Sequence, residues 1–146
     1  MIIQLEINHS KPDGISYFSL GNFSFEKDGV VFTSRYRKPD QSCMILASLP
    51  ELFSRLVHLK NGTARKFVFS PLDSSYSLLF EKVKDKLIIS EFSKEKLICG
   101  LYEFSSALLL ETERLLAVNE IEIEELGGAA IDFAESIRSF KEVFSF

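Results

Sequence analysis

Apolar and polar positions alternate at the start of the chain. Ile3, Leu5 and Ile7 are separated by Gln4 and Glu6, a period-2 pattern that predicts a strand with one buried face. Pro12-Asp13-Gly14 breaks the run, and residues 15–26 form a second strand region with Tyr17, Phe18, Leu20, Phe23 and Phe25. Gly21-Asn22 inside it predicts a bulge or bend, because glycine in a strand often marks one. Asp28-Gly29 fits a two-residue hairpin turn whose central residues both need φ > 0. Val30-Val31-Phe32-Thr33 starts the returning strand, and Lys38-Pro39-Asp40 ends it.

The period then changes. Leu49, Leu52, Phe53, Leu56 and Val57 follow helical spacing. Ser48 and Glu51 predict a capping box at the helix start, with Pro50 in the first turn, where no amide hydrogen is needed. Asn61-Gly62 predicts the stop. Three more strands are expected at 66–70, 76–83 and 87–92, with Lys84-Asp85-Lys86 turning between the last two. The apolar run Leu97-Ile98-Cys99-Gly100-Leu101 belongs either to a strand at 97–104 or to the start of the next helix, and periodicity leaves both open. Helices follow at about 106–118 and about 129–144, the latter with the stripe Ala130, Phe133, Ala134, Ile137, Phe140 and Phe144. Between them Ile121-Glu122-Ile123-Glu124 alternates as a short edge strand, and Gly127-Gly128 reads as a joint. Strands, helix, strands, then helices predict an α+β fold: a mainly antiparallel sheet with one central helix and two C-terminal helices.

The length of 146 residues fits a single domain spanning 1–146, with 119–146 a candidate C-terminal extension. A domain of this size buries roughly 70% of the surface its unfolded chain would expose. Fourteen Phe and no Trp predict a core of many flat rings. Cys43 and Cys99, the two cysteines, sit among apolar neighbours and read as buried reduced thiols, a Cys43–Cys99 disulfide being the lesser reading. No apolar run reaches the roughly 18 residues that span a bilayer, and the start shows no secretory leader, so a cytoplasmic protein without membrane contact is expected. The sequons at Asn22 and Asn61 then read as chance matches.

Charge is unevenly spread. Residues 102–146 hold ten acids (Glu103, Glu111, Glu113, Glu120, Glu122, Glu124, Glu125, Asp132, Glu135 and Glu142) against Arg114, Arg138 and Lys141. That gives −7 there, and +3 for the rest of a chain whose net charge is −4. Such a field suits a basic partner and repels nucleic acid. The one basic-aromatic patch, Arg35-Tyr36-Arg37-Lys38, reads as a solvated strand end. Lys82, Lys84 and Lys86 read as lysines that protect a hairpin edge.

Catalytic kits are missing. His9 and His58 stand far apart and no metal-ligand spacing occurs. There is no nucleophile elbow, and no glycine-rich phosphate loop. No catalytic residue, metal or cofactor is therefore expected. The dense carboxylates Glu120, Glu122, Glu124 and Glu125, with Glu111 and Glu113 in reserve, are the candidate partner-binding residues; a solvated acidic face, and a catalytic or Ca²⁺ site without the EF-hand pattern, are the other readings of the cluster.

One stretch is similar to a known family. Ser42-Cys43-Met44-Ile45, the helix ending at Asn61-Gly62, and Phe67-Val68-Phe69-Ser70-Pro71-Leu72-Asp73-Ser74-Ser75-Tyr76-Ser77-Leu78 resemble the middle of WapI-like bacterial immunity proteins, over about residues 15–118. That family typically has Trp here and this chain has none. The resemblance implies a small non-enzymatic protein that neutralises a cognate toxin by docking on it. The alternatives are another interaction module (subunit, adaptor or chaperone, a homo-oligomer included) and a small-ligand binder with a Phe-lined pocket.

Overall fold

The computed structural model describes residues 1–8, 15–35, 40–91 and 95–146. His9, Pro12-Asp13-Gly14, Tyr36-Arg37-Lys38-Pro39 and Phe92-Ser93-Lys94 lie outside the described residues. The element order is β1 (Ile2–Ile7), β2 (Leu20–Lys27), β3 (Val30–Thr33), β4 (Cys43–Met44), α1 (Ile45–Asn61), β5 (Lys66–Phe69), β6 (Leu78–Val83), β7 (Lys86–Ser90), β8 (Lys96–Gly100), α2 (Leu101–Val118), 3₁₀ turns over Ile123–Ala129, and α3 (Ala130–Phe144). This is the α+β arrangement expected, but with two antiparallel sheets rather than one. The first has β2 at its centre, with β1 on one side and β3 and β4 on the other. The second is the meander β5-β6-β7-β8.

The inner faces of the sheets meet through Phe rings. Phe25, Phe80 and Phe104 form an edge-to-face triad with centroids 5.2 to 6.3 Å apart, a geometry that the ring quadrupole favours. Phe23 meets Phe69 at 5.8 Å. On the helical side Phe53 of α1 packs on Phe140 of α3 at 4.8 Å. Phe133, Ile137, Phe140 and Phe144 are buried and join the same core as the sheets. Of the expected stripe, Ala130 is half-buried and Ala134 is exposed. The rings therefore pack on one another and fill the interior.

The hairpin at Asp28-Gly29 forms as expected, with φ of 51° and 82° and Lys27 opposite Val30. Gly62 closes α1 at φ 78°, and its N–H and that of Thr63 donate to Leu59 O and His58 O. The ambiguous run at 97–104 resolves into both of its readings: β8 ends at Gly100 and α2 begins at Leu101, five residues before the expected start.

Four local expectations are corrected. The second strand begins at Leu20, not at residue 15, because Ser16 and Ser19 close a turn through paired hydrogen bonds of 3.1 and 2.9 Å. Gly21 is not a bulge: it stays in register with Ile7 on one side and Cys43 on the other, and a Cβ there would collide with the Glu6 carbonyl. Ser48 and Glu51 do not form a capping box. The helix starts at Ile45 because burying Ile45 and Leu46 outweighs the local cap. Pro50 therefore lies inside the helix. The Ser48 hydroxyl instead donates to Met44 O at 2.7 Å and accepts the Leu72 amide at 2.9 Å, tying the helix to the β5–β6 connection. Finally, Ile121-Glu122-Ile123-Glu124 is not an edge strand. It leads into the 3₁₀ turns, because Glu120 takes a positive φ of 54° that ends α2 and breaks the extended path, and the turns that follow pack against α3.

Candidate partner-docking surface

The acidic turn between α2 and α3 is built from the backbone outward. Asn119 N–H donates to Leu115 O, Glu120 N–H to Ala117 O and Ile121 N–H to Leu116 O, at 3.2, 3.1 and 2.8 Å. The Asn119 side-chain amide adds a bond to Leu115 O at 2.8 Å. Further on, Glu125 N–H donates to Glu122 O at 2.9 Å. Ile121, Ile123 and Leu126 are half-buried against the core, and the glutamates between them point to solvent. Glu120, Glu122, Glu124 and Glu125 are all exposed, and none pairs with a base among the described residues. Asp132 and Glu135, on the first turns of α3, extend the same sign of charge and help line a groove of about 340 Å³ against Ser54 and Val57 of α1. Burial, followed by Asp132, pushes the Tyr17 phenol upward.

The two reserve residues lie elsewhere. Glu113 is exposed on α2 and pairs with Lys141 of α3 at 3.2 Å. Glu111 faces inward. Its side chain is 11% exposed; it accepts the Leu5 amide at 2.9 Å and two bonds from Arg114 at 2.6 and 2.7 Å. Arg114 in turn donates to Leu5 O at 3.1 Å. β1 is an edge strand, and Leu5 turns its N–H and C=O away from β2. The Glu111–Arg114 pair therefore supplies a side-chain substitute for the missing neighbouring strand. Its sequence signal was the i,i+3 spacing on one helix face; the strand it serves lies more than 100 residues away, which no local pattern shows.

No family model, curated protein or solved structure matches the chain.

Several other titratable groups have structural roles. Glu103 binds Lys27 at 2.6 Å and the Gly100 amide at 3.1 Å; the Lys27 ammonium, then that amide, hold its carboxyl down at about 2. Arg35, the described member of the basic patch, pairs with Glu6. His58 Nδ1 lies 2.7 Å from the Thr63 hydroxyl at the end of α1. Cys43 and Cys99 are free and buried, and burial pushes their thiols up to about 12 and about 11. Thiols held protonated in this way are poor nucleophiles and poor metal ligands. Among the described residues, no three His, Cys, Asp or Glu side chains are grouped to hold a metal ion, and no helix is long and apolar enough to cross a membrane. The surface feature the sequence reading missed is basic: Lys60, Arg65, Lys82 and Lys84, from three separate segments, share one end of the molecule.

Proposed function

We propose that this chain is a non-enzymatic protein-binding domain that docks a basic partner through the turn at Glu120–Glu125, as an immunity protein docks on the toxin it neutralises. One observation carries the reading. Glu103, Glu111 and Glu113 are each matched by a base within the fold, whereas the four carboxylates of the turn have no matching base among the described residues and their backbone is hydrogen-bonded in place. A fixed set of like charges does nothing for the fold, since mutual repulsion costs stability. It does raise the rate of encounter with a basic surface and orients the pair. The mechanism is steric and electrostatic: the carboxylates occupy the cations with which a nuclease-like toxin would hold its substrate. The missing catalytic kit and the resemblance to WapI-like immunity proteins support the same reading.

The test starts with capture of the partner on the tagged protein at about 50 mM salt, where the Debye length exceeds about 10 Å. Association of that partner is then timed against the wild type and the Glu120→Lys, Glu122→Lys, Glu124→Lys, Glu125→Lys variant. The expected result is a partner with a basic toxin-like domain, and an on-rate that falls by about tenfold or more in the variant with a flatter salt dependence. An unchanged on-rate defeats the electrostatic mechanism. A partner of acidic or neutral character defeats the toxin reading.

A further inference from the structure

We propose that the cleft at the N-terminal end of α2 binds a small phosphorylated ring compound of the nucleotide class. Its walls come from four parts of the chain. Lys60 stands in the last turn of α1, Lys82 and Lys84 on β6 and the hairpin tip, Gly100-Leu101-Tyr102 at the start of α2, and Phe144 at the end of α3. They enclose about 300 Å³. A second hollow of about 550 Å³ shares Lys82 and Lys84 and adds Arg65. Four cations thus converge on one region in which, among the described residues, Asp85 is the single acid lining either hollow.

Among the described residues, these cations are not spent on internal ion pairs. Lys60, Arg65 and Lys84 pair with no acid among the described residues. The Lys82 ammonium is anchored on Leu59 O at 2.9 Å, and Lys84 is held by a turn at φ 57°. Asp85 fixes the cleft from below, its carbonyl accepting the Leu101 amide at 2.9 Å. Glu103, the acid in the first turn of α2, is already taken by Lys27 and the Gly100 amide, so it leaves the field of the cleft positive.

Clustered ammonium groups repel one another, and a multiply charged anion removes that penalty by binding several at once. The other wall is apolar and aromatic. Tyr102, which is exposed and rests against Phe146 at 4.9 Å, offers ring surface beside the cations, and the buried Phe144 backs that wall. A volume of about 300 Å³ lies at the lower bound for small-molecule sites and is far more than a bare phosphate fills. Phosphate on the lysines with a flat ring on Tyr102 fits both walls. The site is independent of the acidic turn, which lies at the opposite end of this 18-residue helix, about 27 Å away.

The experiment is an amide NMR titration of the full chain with AMP, GMP, CMP and UMP, and with inorganic phosphate. At least one nucleotide should give saturable shifts confined to Lys60, Lys82–Asp85 and Gly100–Tyr102, at an affinity about tenfold above that of phosphate. Replacing two exposed cations together, Lys60→Glu with Lys84→Glu, should weaken binding by about tenfold or more, with the unfolding midpoint no lower than that of the wild type. No saturable shift from any nucleotide by about 10 mM overturns the proposal. So do phosphate binding as tight as the nucleotides, and equal binding by the double variant.

Discussion

Replacing Glu111 by Ala removes three hydrogen bonds at once: the one it accepts from the Leu5 amide at 2.9 Å, and the two from Arg114 at 2.6 and 2.7 Å. It also frees Arg114 to swing away from Leu5 O, which it holds at 3.1 Å. A hydrogen bond to a charged group contributes about 1.5–3 kcal/mol when its partner is left unsatisfied. The Leu5–Glu111 bond is only part-buried and the Arg114 side chain is 51% exposed, so water recovers part of the loss. The expected cost is about 2 kcal/mol, a fall of about 6 °C in Tm for a chain of this length. Glu111→Gln keeps an acceptor for Leu5 but loses the ion pair, and should cost about half as much. Urea unfolding at neutral pH measures both, and the slope with denaturant should stay constant, since the native surface is unchanged. In a double-mutant cycle with Arg114→Ala the two changes should be strongly non-additive, because each residue acts on Leu5 alongside the other. A loss under about 0.5 kcal/mol for Glu111→Ala, or strict additivity, would refute the edge-strap reasoning.

Three further outcomes are expected. The Glu103 carboxyl sits at about 2 instead of its ordinary 4.5. Its contribution is therefore complete above the unfolded value and lost as pH falls from there through about 2. With 39% of the side chain exposed, that contribution is discounted to about 1 kcal/mol, so urea unfolding of wild type and Glu103→Gln should converge as pH drops from 5 to about 2; a constant gap would count against it. Gly21→Ala should cost about 3 kcal/mol by forcing β1 off β2 at Glu6, and a variant with wild-type urea stability would show that the strands are not so closely set. Cys43 and Cys99, with thiols pushed up to about 12 and about 11, should resist an aromatic disulfide reagent at neutral pH until urea unfolds the chain, and rapid labelling of either native thiol would contradict their burial.

What the sequence disclosed depends on how far each signal reaches along the chain. The alternation at Ile3, Leu5 and Ile7, the Asp28-Gly29 turn, the Gly62 stop and the Phe133–Phe144 stripe are decided by neighbours within one or two turns, and each is found where expected. Ser48 misled because a local cap competes with the burial of Ile45 and Leu46, and burial is a tertiary effect. Ile121-Glu122-Ile123-Glu124 misled because a period of two also arises when a turn alternately buries and exposes its residues against a helix. At the candidate surface, Glu120, Glu122, Glu124 and Glu125 behave as one exposed group. Glu111 differs from them only through Leu5, and the basic cleft exists only once α1, β6 and α2 come together.

The strap on β1 also sets an order of events during synthesis. The N-terminal hairpin can pair as soon as β2 has emerged, but its outer edge at Leu5 must wait for Glu111 and Arg114. Until then a growing chain carries a half-finished sheet with an open side on the ribosome, and such sides recruit strands from other molecules. A chain stopped before α2 should therefore clump where the full chain does not. Completion of one helix near the far end switches the first strand from a sticky intermediate to a sealed margin.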